Sequence, residues 1–164
     1  MRIFNKFYPV EISDSAYKID YQKYYDEGYR GILFDIDNTL VPHGAPADNK
    51  AIKLFKKLRE IGFDTCLISN NKDPRVKPFA QKVGSRYICN AHKPSRKNYN
   101  RAFKLMNTEK ENTLFVGDQL FTDVYGANRV GMHTILTKPI NPKEEIQIVL
   151  KRYLEKIVLL TYRK

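Results

Sequence analysis

Two carboxylates one residue apart, Asp35 and Asp37, close an apolar run, Gly31-Ile32-Leu33-Phe34, and open a polar turn, Asn38-Thr39. Two charges that close to a buried strand are costly unless a cation joins them. A lone Asp-x-Asp more often does no more than cap the next helix. An EF-hand loop fits the first two acids, but Thr39 stands at its third ligand position and Leu40 where its sharp turn needs glycine. Three further clusters widen the chemistry: Ser69-Asn70-Asn71, then Lys93-Pro94, then Gly117-Asp118 with Asp123. Taken singly, Ser69 reads as a cap, Lys93 as a solvated lysine and Asp123 as support for its own helix. Taken together, the carboxylates can hold a hard divalent cation, while a hydroxyl and an ammonium can donate to a phosphoryl group.

The elements that must position these groups alternate along the chain. Asp20 caps a short helix over 20–27, which Gly28 stops before a strand at 31–34. Asp48 caps a helix whose Ile52, Phe55, Leu58 and Ile61 share one face, and Gly62 ends it. A strand at 63–69, a helix opened by Asp73-Pro74 and closed by Gly84, and a strand at 86–89 follow. Then come a helix at 96–106 bearing Tyr99, Phe103 and Leu105 or Met106, a strand at 113–116, a helix at 122–129 and a last strand at 133–136. This spacing calls for a parallel sheet with right-handed crossovers, a three-layer α/β/α sandwich. All strand ends then point the same way, so Asp35, Ser69, Lys93 and Asp118 should meet in one crevice. Residues 1–15 show no regular pattern and are expected to wrap the domain or dock on a partner.

At 164 residues the chain is read as one domain, with a core at 29–140, an N-terminal extension over 1–28 and a C-terminal helix over 143–160. A domain near that size buries about 70% of its extended surface, so no staple is required. Cys66 and Cys89 lie in apolar, strand-like segments and read as buried thiols in a reducing compartment. Neither a signal peptide nor a run of ~20 apolar residues is visible, which points to a cytoplasmic protein. The net charge of +11 predicts attraction to something anionic: phosphate esters, nucleic acid or a lipid surface. His43 and His92 lie near the acidic clusters, but the carboxylate set suits Mg²⁺ and leaves them as loop histidines.

With its motifs in order, Asp35-Ile36-Asp37-Asn38-Thr39, Ser69, Lys93-Pro94 and Gly117-Asp118-Gln119-Leu120-Phe121-Thr122-Asp123, the stretch 31–137 resembles the haloacid-dehalogenase-like (HAD) phosphatases. More narrowly it is similar to the small subfamily IIIA members of the YqeG group, themselves similar to phosphatidylglycerophosphate phosphatases. The resemblance implies a Rossmann-like HAD sheet, Asp35 as nucleophile forming an aspartyl phosphate, and Asp37 as general acid and then base, with a pKa raised by its neighbouring carboxylate. It also implies Mg²⁺ held by Asp35, the backbone carbonyl of Asp37 and Asp118. Ser69, helped by the Asn70 N–H, and Lys93 would bind the phosphoryl group, with Thr39 fixing the nucleophile loop and Asp123 orienting Lys93 or a metal-bound water.

Many such relatives carry a lid, and here the spans 37–69 and 69–93 are each used up by one helix and one strand with their loops. An open crevice excludes water poorly, so the expected substrate is bulky: a phosphate on a lipid head group or a macromolecule. Nucleic-acid ends are a less favoured substrate, and a binding module on RNA, ribosomes or protein is the non-enzymatic alternative. The tail over 144–160 carries an apolar stripe (Ile146, Val149, Leu150, Tyr153, Leu154, Ile157, Val158) beside Lys151, Arg152 and Lys156, with Arg163 and Lys164 beyond. Packing of that stripe on the sheet is favoured over peripheral association with an anionic membrane at the inner face, because any surface helix is amphipathic.

Overall fold

A computed structural model describes residues 5–141 and 146–162, with backbone alone for 146–149, so Ile146, Val149, Arg163 and Lys164 of the tail lie outside the described side chains. The strands β1 (Glu11–Ser13), β2 (Gly31–Phe34), β3 (Asp64–Ile68), β4 (Arg86–Ile88), β5 (Thr113–Gly117) and β6 (His133–Thr137) form one sheet in the order β1-β6-β5-β2-β3-β4. Every pairing is parallel. The central strands are buried along their length because helices cover both faces, and side chains alternate between two cores. Ile32, Phe34, Leu67, Leu114 and Val116 meet α1 (Tyr21–Asp26), α2 (Asn49–Ile61) and α3 (Asp73–Val83). Leu33, Cys66, Ile68 and Phe115 meet α4 (Arg96–Met106) and α5 (Tyr125–Arg129).

Helix ends follow the local chemistry. Asp20 and Asp48 accept hydrogen bonds from the N–H groups of Lys23 and Ala51, starting α1 and α2. Gly62 and Gly84 close α2 and α3 in the left-handed conformation, at φ +118 and +70, where a side chain would be strained. The buried face of α2 centres on Ala51, Leu54, Phe55 and Leu58, while Ile52 and Ile61 stand at its edge. Before α5, one turn of wider π-helix over Leu120–Val124 delivers Asp123 inward.

Two expectations are corrected. Residues 11–13 are a strand, β1, which pairs with the outer edge of β6, so the sheet has one more strand than the alternation predicts. Most of the described stripe of α6 (Ile146–Leu160) does not pack inward: Leu150, Tyr153, Leu154 and Ile157 are exposed, and of the stripe Val158 alone among the described side chains is buried, on the face that Arg152 and Glu155 also turn inward. Cys66 is buried and Cys89 only half-buried, and both are free thiols. No helix is long and apolar enough to cross a membrane among the described residues.

Candidate active site

The chain order reverses between β2 and β5: from β2 it steps to β3 and β4 on one side and, through β5, to β6 on the other. Such a switch point leaves a crevice beyond the strand ends, because the flanking loops turn away in opposite directions. Asp35 follows β2 and Asp118 follows β5, and the Asp35 N–H still bonds the Val116 carbonyl at 3.0 Å. After Asp35 the chain reverses tightly. The N–H of Thr39 and of Leu40 donate to the Ile36 carbonyl at 3.2 and 2.9 Å, with Asn38 at φ +61, a conformation asparagine tolerates. That turn brings Thr39 back beside Asp35. Its hydroxyl lies 3.2 Å from Asp35 Oδ2 and 3.0 Å from Asp118 Oδ1, one proton serving two carboxylates.

Lys93 closes the other side. Its Nζ donates to Asp35 Oδ1 at 2.6 Å and Asp123 Oδ1 at 2.7 Å. Its backbone N–H bonds Asn70 Oδ1 at 2.7 Å, fixing the loop after β4 to the loop after β3. The second oxygen of Asp123 accepts the Gln119 N–H at 3.1 Å. Ser69 Oγ, buried at the end of β3, accepts the Asn71 N–H at 3.1 Å, leaving its own proton for a ligand in the crevice it lines with Asp35, Asp37, Asn70 and Lys93. The cavity is about 180 Å³.

Asp37 has a different setting from Asp35. Its Oδ1 accepts from Arg75 Nη2 at 2.9 Å and the Gly44 N–H at 2.8 Å, and its Oδ2 accepts from Asn71 Nδ2 at 2.7 Å. A guanidinium, an amide and a backbone N–H, rather than a second carboxylate, are its immediate partners. Asn71 was named in the sequence only as part of its polar cluster, without a role, and Arg75 was not singled out. Arg75 sits in the first turn of α3, where an arginine gives no periodic signal.

Asp35, Asp118 and Asp123 bring one oxygen each within 4.8 Å of one another, all three buried. Burial pushes the Asp35 carboxyl up to about 6; Lys93 pulls it down and Asp118 pushes it up again. Burial likewise raises Asp118, helped by Asp123, and raises Asp123, helped by Asp35. Burial would lower Lys93, but Asp123 and Asp35 outweigh it and hold its ammonium firmly charged. Three buried carboxylates thus share Lys93 and one guanidinium, Arg152 of α6, which buried Glu155 also engages. The donors are hard oxygens carrying more negative charge than these cations offset, which fits a divalent metal. Asp35, Asp118 and Asp123 are the residues that could hold it, and each of their oxygens now accepts a hydrogen bond from Thr39, Lys93, Arg152 or the Gln119 N–H. His43 and His92 are exposed and not part of this cluster.

In the sequence Arg152 was visible only as one of the tail's charges, and Glu155 was not singled out. Arg152 bonds the Asp118 carboxylate and its backbone carbonyl, and Glu155 Oε1 accepts the Leu120 N–H at 2.7 Å. The last helix therefore braces the loop that carries Asp118.

Comparison with known proteins identifies the family. The family model for haloacid dehalogenase-like hydrolases matches residues 46–131. The chain is 37% identical to "Probable phosphatase YqeG" of Bacillus subtilis, across 93% of the chain and 90% of that protein. It is 29% identical to "Phosphatidylglycerophosphate phosphatase 1, chloroplastic/mitochondrial" of Arabidopsis thaliana across 90% of the chain, and 35% identical to "Glyceraldehyde 3-phosphate phosphatase" of Pyrococcus furiosus across 80%. Of those last two proteins it spans about half, 48% and 49%.

Proposed function

The chain belongs to the haloacid dehalogenase-like hydrolases and is a phosphatase, and from that premise we propose that it is a Mg²⁺-dependent phosphomonoesterase working through an aspartyl phosphate on Asp35. The observation that carries the reading is Lys93 bridging Asp35 and Asp123 at 2.6 and 2.7 Å in a crevice that Ser69 also lines. Mg²⁺ would be held by Asp35, the Asp37 backbone carbonyl and Asp118, and when bound it offsets repulsion between the carboxylates and a phosphate dianion.

In the first half-reaction an Asp35 oxygen forms a bond to phosphorus as the ester P–O bond breaks. Asp37 passes its proton to the departing alkoxide. In the second, water attacks phosphorus, Asp37 takes the water proton, and the bond to Asp35 breaks to release phosphate. Ser69 and the Asn70 N–H donate to phosphoryl oxygens, and Lys93 neutralises charge as phosphate and carboxylate approach. Asp123 orients Lys93.

The open crevice supports a bulky ester, a phosphate on a lipid head group, over a small free metabolite, and the resemblance to a phosphatidylglycerophosphate phosphatase points the same way. The resemblance to a glyceraldehyde 3-phosphate phosphatase points to a small ester instead. Phosphate release should therefore be measured with and without Mg²⁺ on phosphatidylglycerophosphate, sugar phosphates and oligonucleotide end phosphates. Asp35→Asn should abolish release on every substrate, and borohydride reduction of acid-quenched enzyme should convert Asp35 to homoserine. Unchanged release by Asp35→Asn would overturn the mechanism, and faster turnover of a sugar phosphate than of the lipid would overturn the substrate class.

A further inference from the structure

Five of the exposed large apolar side chains among the described residues lie on α6: Leu150, Tyr153, Leu154, Ile157 and Leu160. They recur at helical spacing, so they form one outward stripe. Leu150 is 64% exposed, Tyr153 68% and Leu160 85%, levels that a packed face does not show. The helix cannot hide the stripe by rolling, because its opposite face is already committed. There Arg152 holds Asp118, Glu155 accepts the Leu120 N–H, and Val158 is buried. Ile12 of the edge strand is also exposed and lines, with Tyr153, a groove of about 440 Å³ beside the helix. Leu136, Pro139 and Leu159 add apolar surface to the same groove. Exposed Lys151 and Lys156 stand on opposite flanks of the stripe.

We propose that this outer face of α6 docks on a bilayer containing anionic lipid, with the stripe in the boundary between head groups and acyl chains and the two lysines on head-group phosphates. An apolar stripe with cationic flanks is what that surface takes up. A second copy of the chain is a poorer occupant, since self-association would set lysine flanks together on a molecule carrying +11. Nucleic acid would use the lysines and leave the stripe in water. The proposal holds whichever ester is hydrolysed, so it is tested on binding alone.

The test is flotation of the full chain, as wild type and as the inactive Asp35→Asn variant, with vesicles of phosphatidylcholine and of phosphatidylcholine with phosphatidylglycerol. Both proteins should float with the anionic vesicles and lose affinity in high salt. Leu154→Glu with Ile157→Glu should abolish flotation while circular dichroism and hydrolysis of a soluble ester stay as in wild type. Lys151→Gln with Lys156→Gln should weaken it about tenfold or more, as the loss of two cations at an anionic surface requires. Failure of wild type to float at low salt would overturn the proposal. So would flotation that the stripe variant retains, or a wild-type dimer in sedimentation that Leu154→Glu dissociates. Flotation of Asp35→Asn with no turnover by wild type would leave docking standing and sink the hydrolytic reading instead.

Discussion

Arg152 grips Asp118 across 34 positions of sequence, with one guanidinium nitrogen on the carboxylate and another on the backbone carbonyl. The contact ties the last helix to the end of a central strand, at a residue proposed as a metal ligand. Its side chain is only 15% exposed, and that of Asp118 is fully buried.

Arg152→Met should destabilise the metal-free protein by about 3 kcal/mol, because it strands a buried carboxylate without its cation. Mg²⁺ held as proposed would neutralise the same carboxylates, so it should return more stability to the variant than to wild type. Thermal melts with and without Mg²⁺ read this directly. An identical Mg²⁺-induced shift in both proteins would show that Asp118 does not face the metal.

Asp35→Asn should raise the melting temperature of the metal-free protein at neutral pH even as it removes activity. The folded Asp35 titrates near 6, above its ordinary value of 3.8, so the native chain holds a proton between those values that the unfolded chain has lost. The stability linked to that proton is complete below about pH 4 and is lost as pH rises through about 6, a difference on the order of 3 kcal/mol. Asparagine carries no such charge. The gap between variant and wild type should open from pH 4 to pH 7 and close when Mg²⁺ is added. A variant that melts below wild type at pH 7 without metal would refute this account.

What could be read in the sequence was whatever interrupts a local pattern. Asp35, Ser69 and Asp118 each end an apolar run, so they announce strand ends, and α4 occupies 96–106 as its spacing predicts. Strand β1 left no such mark, because Glu11-Ile12-Ser13 offers one apolar residue and becomes a strand only through the open edge of β6. The tail shows a limit of periodicity: it reveals that α6 has two faces but not which one turns inward. Here two charged residues, Arg152 and Glu155, face the protein because Asp118 and the Leu120 N–H need partners. Arg75 reaches Asp37 only because the start of α3 lies against the loop after β2, which no local signal reports.

Arg75→Ala should lower turnover of an alkyl phosphate roughly tenfold with little change in KM, as expected when a positioned proton donor loses an orienting partner. Asp37 keeps Asn71 and Gly44, so the loss should be smaller than for Asp37→Asn. p-Nitrophenyl phosphate separates the causes, because its leaving group departs without a proton. Both deficits should shrink on it. A deficit equal for both leaving groups would mean that Arg75 does not act through Asp37.

Gly117→Ala should cripple the site through Asp123. A Cβ there would lie 2.7 Å from Asp123 Oδ2 and 2.8 Å from its Cβ, closer than real atoms approach. The Asp123 backbone cannot retreat, since its N–H bonds the Gln119 carbonyl at 3.0 Å, so the strain falls on the side chain that holds the Gln119 N–H and Lys93. The side chain must swing out, and Lys93 is left with Asp35 alone. Gly31→Ala is the control, for its Cβ would meet Thr108 at 2.9 Å, at the other end of the central strands. Both changes overpack the interior and should cost about 1–3 kcal/mol. Gly117→Ala alone should lose turnover per folded molecule, with phosphate release at saturating substrate and a thermal melt measured on each. Equal turnover in the two variants would remove Asp123 from the positioning of Lys93, because the steric insult would be the same and the chemistry indifferent to where it fell.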